Sequence, residues 1–131
     1  MEHFEKAQQS RNPAVAIAEE DPRLRRIIRL NLEREGIKAI EATSMADCQA
    51  YLHKGDAKLA IISAQLPGFD AAQFSRWLRS EFPNKPVPVV VLSFEPEDRL
   101  LTHPLRKAVF KQKPFDPADL VGQVSKLMLA V

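Results

Sequence analysis

Five polar side chains follow short apolar runs of the chain, and together they could form one charged pocket. Glu19 and Glu20 follow the first apolar run, Ser63 the third, Ser93 the fourth and Lys113 the fifth. If the runs are parallel strands, these residues meet at the edge of the sheet where open α/β proteins bind ligands. Two carboxylates beside an ammonium group favour an ion pair. A serine hydroxyl is a weak nucleophile there, because the sequence places no histidine beside it to act as a base.

The elements that position these residues alternate along the chain. Apolar runs and amphipathic stretches from Pro13 onward predict five βα units. Runs without polar alternation, such as Val89–Leu92, are typical of a parallel sheet covered on both faces. The predicted strands are 14–18, 37–42, 59–62, 87–92 and 108–111, and the predicted helices are 22–35, 45–53, 71–82 and 117–130, with a short or irregular helix between 97 and 107.

Capping residues and prolines near the predicted helix ends support these elements. Ser44 can cap the second helix with Asp47 at its third position, and Asp116 precedes a proline at the first position of the last helix. Pro104 cannot lie inside a helix without loss of a hydrogen bond, so the fourth helix should be short or broken. Three apolar stripes at helical spacing are expected to face the core: Leu24, Ile27, Ile28 and Leu32; Phe74, Trp77 and Leu78; Leu120, Val124, Leu127 and Met128.

Composition limits the classes of protein. A chain of 131 residues with 45% hydrophobic residues fits one domain, which we place at residues 13–131 after a polar leader at 1–12. The net charge of +2 does not favour binding to nucleic acid or to a membrane. The single Cys48 and the absence of a signal sequence or membrane span predict a cytoplasmic protein.

The motifs at the strand ends resemble those of response-regulator receiver domains, the CheY-like family. The resemblance covers about residues 13–131. It is carried by Glu19-Glu20-Asp21-Pro22, by Ser63 four residues before the proline of Leu66-Pro67-Gly68, by Ser93, by Phe110 and by Lys113-Pro114-Phe115. It implies a flavodoxin-like, doubly wound α/β fold with a five-stranded parallel sheet of order 2-1-3-4-5 and helices on both faces. It also implies a cis peptide bond before Pro114.

The resemblance further implies a role for each position. In receivers, an aspartate at the position of Ser63 accepts a phosphoryl group, and an acidic pair at the positions of Glu19 and Glu20 holds Mg²⁺. In receivers, the hydroxyl at the position of Ser93 and the ammonium at the position of Lys113 contact the phosphoryl group. The aromatic residue at the position of Phe110 moves when the receiver is phosphorylated. The alternative for Phe110 is a core residue of its strand.

This chain departs from that pattern at the acceptor. Ser63 removes the nucleophilic carboxylate, so we expect no catalytic residue and no aspartyl phosphorylation. Glutamate lengthens both arms of the acidic pair, so we expect no cofactor and at most weak Mg²⁺ binding at Glu19 and Glu20. Asp70, the nearest other carboxylate, reads as a helix cap.

We therefore expect a non-enzymatic pseudo-receiver of two-component signalling that acts as a phosphorylation-independent interaction module. Its partner would be a protein or a second copy, bound through the fourth helix, fifth strand and fifth helix. One alternative is the receiver portion of a larger transcriptional or signalling regulator. The other is a flavodoxin-like ligand-binding protein, although no Gly-rich loop follows the first strand.

Overall fold

A computed structural model describes residues 14–129, and the predicted leader at 1–12 lies outside this range. The strands are β1 (Ala14–Ala18), β2 (Ala39–Ala42), β3 (Ala57–Ser63), β4 (Val89–Ser93) and β5 (Ala108–Gln112). The α-helices are α1 (Pro22–Arg34), α2 (Met45–Lys54), α3 (Ala71–Glu81) and the C-terminal helix (Pro117–Leu129). The fourth helix is a 3₁₀ helix (Pro96–Thr102), which ends before Pro104 as predicted.

The five strands form one sheet of order β2-β1-β3-β4-β5 in which every neighbouring pair is parallel. This order confirms the predicted CheY-like, flavodoxin-like fold. Because all strands run the same way, their carboxyl ends lie at one edge, which is the edge that carries the polar residues.

Each face of the sheet has its own apolar core. Alternate strand residues such as Ile62 and Val91 pack against α2 and α3. The residues between them, such as Ile17 and Ile61, pack against α1 and the C-terminal helix. Full burial of an isoleucine side chain contributes about 1.5–3 kcal/mol. Burial on both faces explains why the strand sequences are continuously apolar.

Several predicted boundaries were wrong by one or two residues. β2 begins at Ala39 because the Ile37 N–H still donates to the Leu32 carbonyl at the end of α1 (3.0 Å). β4 begins at Val89, directly after Pro88, which has no N–H for a strand ladder. β3 extends from Ala57 to Ser63, although its exposed Lys58 interrupts the apolar run.

Ile27 was wrongly assigned to the core stripe of α1. Its side chain is 45% exposed, whereas Ile28 and Leu32 are buried. At 100° per residue, Leu24, Ile28 and Leu32 lie on one line of the helix, and Ile27 lies about 100° from the middle of that line. The stripe that faces the sheet is therefore narrower than its sequence spacing suggested.

Candidate functional site

The polar residues at the strand ends meet in one pocket. Glu19 and Glu20 follow β1, Ser63 and Ser93 are the last residues of β3 and β4, and Lys113 follows β5. Glu19, Ser63, Ser93 and Lys113 are all buried, and Glu20 is exposed. The peptide bond between Lys113 and Pro114 is cis, as the resemblance implied.

Lys113 is the centre of this pocket. Its Nζ lies 2.6 Å from Glu19 Oε1 and 3.9 Å from Glu20 Oε1. The Lys113 and Glu19 side chains are only 3% and 0% exposed. Apart from this ion pair, Glu19 Oε1 has no polar partner among residues 14–129. The ammonium group is therefore the sole compensation for that buried oxygen.

The two glutamates have opposite pKa shifts. Burial raises the pKa of Glu19 above its ordinary 4.5, and the neighbouring Glu20 carboxyl raises it further against the effects of Asp21 and Lys113. Burial alone would also raise the pKa of Glu20, but the neighbouring polar groups of Glu19, Ser63, its own backbone and Lys113 together outweigh burial and lower that pKa. The more buried carboxyl of the pair thus keeps its proton to higher pH.

The remaining contacts of Glu19 and Ser63 lie within the protein. Glu19 Oε2 accepts a hydrogen bond from the Asp21 N–H (2.9 Å). Ser63 Oγ accepts from Lys113 Nζ at 3.1 Å and from the Gln65 N–H at 3.4 Å. These contacts hold the ends of β1, β3 and β5 together.

Ser93 belongs to a second group of contacts beside the pocket. Its hydroxyl donates to Asp98 Oδ2 (2.6 Å) and accepts from Gln65 Nε2 (3.1 Å) and from the Glu95 N–H (3.0 Å). A hydroxyl has one donor and two acceptor sites. The hydrogen-bonding capacity of Ser93 is therefore fully used by the protein itself.

Two aromatic rings border these groups. Phe94 is 59% exposed, and its ring centroid lies 5.2 Å from Lys113 Nζ. Phe110 is half-buried against the core cluster that includes α2 and α3, and the Arg99 guanidinium lies 5.6 Å from its ring centroid. Phe110 thus has the packing of a strand residue on one side and a cation on the other.

Asp70 lies at the start of α3, where its Oδ1 accepts from the Gln73 N–H (2.9 Å). This contact confirms the prediction of a helix cap.

Within residues 14–129, no group of three or more His, Cys, Asp or Glu side chains is arranged to hold a metal ion. The longest helices of that range have 13 residues, too few to cross a membrane.

Sequence reasoning did not find Gln65, Phe94 or Asp98. Gln65 lies in the turn after β3, and Asp98 lies in the 3₁₀ helix. Their contacts join segments that are distant along the chain, and no local spacing marks them. The only available signal was that Gln65 and Phe94 follow closely after Ser63 and Ser93.

Comparison with known proteins agrees with this architecture. The family described as response regulator receiver domain matches residues 15–125. That match covers most of the chain, and the chain therefore belongs to the response-regulator receiver-domain family.

Two curated relatives illustrate the relationship. Response regulator GtcR of Aneurinibacillus migulanus is 30% identical over 112 residues, which cover 84% of this chain and 45% of the relative. Transcriptional regulatory protein GltR of Pseudomonas aeruginosa is 26% identical over 117 residues, covering 88% of this chain and 48% of the relative. The chain spans about half the length of these relatives.

Solved structures support the fold. A putative response regulator from Chloroflexus aurantiacus J-10-fl has a TM-score of 0.77 at 20% identity, with 89% of this chain and 98% of that chain covered. Chemotaxis response regulator CheY4 of Vibrio cholerae has a TM-score of 0.74 at 18% identity, with 88% and 98% covered. At these identities the similarity establishes the fold alone.

Proposed function

We propose that this receiver domain is a non-enzymatic protein-interaction module that works without phosphorylation at the position of Ser63. The observation that carries the proposal is the contact of Lys113 Nζ with Glu19 Oε1 (2.6 Å) and Ser63 Oγ (3.1 Å) in a buried pocket. The lysine is engaged inside the protein, and no carboxylate stands at Ser63 to attack a phosphodonor. The hydroxyl of Ser93 is likewise fully used.

Intact-mass measurement after incubation with Mg²⁺ and acetyl phosphate tests this proposal. We expect no phosphate adduct on the protein, while a receiver with an acceptor aspartate gains one in the same assay. Ser63→Ala is the matched control for adducts elsewhere. A single phosphate at substantial occupancy that disappears in Ser63→Ala would refute the proposal.

We also propose that the ion pair of Lys113 and Glu19 takes the place of a bound Mg²⁺. Magnesium requires near-octahedral oxygen ligands at about 2.0–2.1 Å. Both oxygens of Glu19 already have partners, Lys113 Nζ and the Asp21 N–H. Isothermal titration with MgCl₂ should therefore show no saturable binding at millimolar concentrations, and a saturable site abolished by Glu20→Gln would contradict this expectation.

The proposed docking face consists of the 3₁₀ helix, β5 and the C-terminal helix, and its partner is a protein or a second copy of the chain. On this face Leu100 is 63% exposed and Phe110 is half-buried beneath Arg99. Leu100→Asp should weaken self-association measured by light scattering over a concentration series, if the partner is a second copy. Leu30→Asp, at a 46% exposed leucine of α1, is the matched control.

A second candidate is the receiver portion of a larger regulator. It is favoured because the chain spans only 45% and 48% of two curated relatives, one of which is called a transcriptional regulatory protein. The length of the native open reading frame tests it. A frame that ends near Val131 would exclude a covalently attached output domain after this receiver.

A further inference from the structure

We propose that Gln65 is the residue that fixes the position of the 3₁₀ helix, because its side-chain amide ties the end of β3 to the end of β4 and to the first turn of that helix. The proposal deepens the proposed function and rests on it, since it names the contact that holds the docking face in one shape. A side chain of the protein itself provides this connection, without a ligand or a modification.

Three side chains form a closed ring of hydrogen bonds, which we call the Gln65 ring: Gln65, Ser93 and Asp98. Gln65 Nε2 donates to Ser93 Oγ at 3.1 Å and to Asp98 Oδ2 at 3.2 Å. Ser93 Oγ donates to the same Asp98 oxygen at 2.6 Å. An amide NH₂ group can only donate, and both of its neighbours in the ring present an acceptor oxygen to it. The acceptor is a carboxylate, and hydrogen bonds to charged groups are stronger than those between neutral groups.

The amino end of the 3₁₀ helix has few attachments besides this ring, chiefly the hydrogen bond that the Glu95 N–H donates to Ser93 Oγ (3.0 Å). None of its residues, 96–102, is buried. Glu95 precedes the helix and makes no side-chain capping bond to it. A 3₁₀ helix also has poorer hydrogen-bond geometry than an α-helix. Segments with few buried contacts open locally at low free-energy cost.

The other end of this segment is anchored independently. The Pro104 carbonyl accepts hydrogen bonds from the Ser75 hydroxyl and from Arg79 Nη2, and Leu105 is buried. In the middle, the Thr102 hydroxyl donates to the Arg99 carbonyl (2.8 Å), and the Arg99 guanidinium lies 5.6 Å from the ring centroid of Phe110. Loss of the Gln65 ring should therefore release the amino end of the helix while the carboxyl end stays attached to α3.

The chemistry of the ring is specific for an amide at position 65. Glutamate has nearly the same size but no N–H donor, and it would place a second carboxylate beside Asp98. Like charges so close together repel each other. Gln65→Glu should therefore disrupt the ring at least as strongly as Gln65→Ala, although it changes the shape of the side chain much less.

Hydrogen–deuterium exchange on the full chain tests the proposal. The probes are the backbone N–H groups of residues 97–105 except Pro104, including the Asp98 N–H, which donates to the Glu95 carbonyl at 3.0 Å. We expect Gln65→Ala and Gln65→Glu to speed exchange in this segment about 10- to 100-fold, the size expected when a hydrogen bond to a charged group is lost. Exchange in β1 and β3 should keep its wild-type rate. Gln73→Ala, at an exposed glutamine of α3, is the matched control and should change nothing.

Coupling between members of the ring gives an independent readout. Asp98→Ala removes both contacts of the 3₁₀ helix with the ring, and Gln65→Ala removes one of these two, so the double variant should exchange no faster than Asp98→Ala alone. Wild-type exchange of residues 97–105 in Gln65→Ala would overturn the proposal. A uniform increase that includes β1 and β3, or fully additive effects in the double variant, would overturn it as well.

The outcome is separate from that of the proposed function. Exchange is measured on the unmodified protein without a partner, so it does not depend on phosphorylation. A phosphate adduct at Ser63 in a protein whose Gln65 ring behaves as expected would refute the proposed function and leave the ring in place. Unchanged exchange in Gln65→Ala, with no adduct at Ser63, would overturn the proposal about the Gln65 ring and leave the proposed function in place.

Discussion

The Lys113 ammonium lies 2.6 Å from Glu19 Oε1 and connects the ends of β5 and β1, two strands that are separated in the sheet by β3 and β4. Both side chains are buried, so the charges are compensated by each other rather than by water. A buried pair of this kind is costly to break by removal of one partner. The contact therefore has a structural role whatever partner the domain binds.

Lys113→Met should lower the free energy of unfolding by about 3–5 kcal/mol, because Glu19 then stays buried without a counter-charge. Urea denaturation at neutral pH, followed by Trp77 fluorescence, measures the loss. Lys111→Met, two residues away in β5, is the matched control and should change the value by about 0.5 kcal/mol or less. The double variant Glu19→Gln and Lys113→Met should recover part of the loss. A double variant no more stable than Lys113→Met would contradict the ion-pair interpretation.

Glu41 should give the protein a stability that is lost in acid. The hydrogen bond from Arg29 is the main reason that the pKa of Glu41 lies below 4.5; burial opposes this effect and Arg25 adds to it. Arg29 Nε and Arg25 Nε lie 2.7 Å and 2.8 Å from the two carboxylate oxygens. Because the folded pKa is depressed, the stabilisation is present above about pH 4.5 and disappears as the pH falls through the folded pKa.

Glu41→Gln should therefore lower the free energy of unfolding by up to about 1 kcal/mol at neutral pH, and the difference from wild type should shrink in acid. Denaturant titrations over a pH series measure both values. Glu33→Gln, which affects only the exposed contact with Arg29, is the control and should have a smaller effect. A stability difference that grows as the pH falls would show that folding raises the pKa of Glu41 instead of lowering it.

Cys48 should be unreactive in the folded protein. Burial raises the pKa of its thiol to about 12, with a smaller contribution from the charge of Asp47. The thiolate, which is the reactive form, is therefore scarce at neutral pH, and the sulfur is inaccessible. Labelling with a thiol reagent should be slow under native conditions and fast in urea. Rapid labelling of the native protein would contradict this placement of Cys48.

Asp70 should contribute to stability as a cap. Asp70→Ala leaves the Gln73 N–H without its side-chain acceptor, so we expect a loss of about 0.5–2 kcal/mol in thermal or urea unfolding. Asp70→Asn keeps a capping oxygen and should lose much less. Equal losses in the two variants would show that the carboxylate charge, rather than the cap, is the stabilising feature.

Most of the fold was readable from the sequence because its signals are local. Apolar runs marked the strands, and the cap at Ser44 was correct, since its Oγ accepts from the Asp47 N–H at 3.0 Å. Pro104 was likewise sufficient to predict a short fourth helix. Such features depend on residues that are close together in the chain, so they can be recognised from the sequence alone. The sequence also identified Glu19, Ser63 and Lys113 as residues at strand ends.

Only the tertiary structure decided how these residues engage one another. The sheet order brings Lys113 across two strands to Glu19, and the turn after β3 brings Gln65 to Asp98. The exposure of Ile27 likewise depended on the angle at which α1 packs on the sheet. These outcomes could not be predicted from spacing, because each depends on the relative placement of segments that are far apart in the chain.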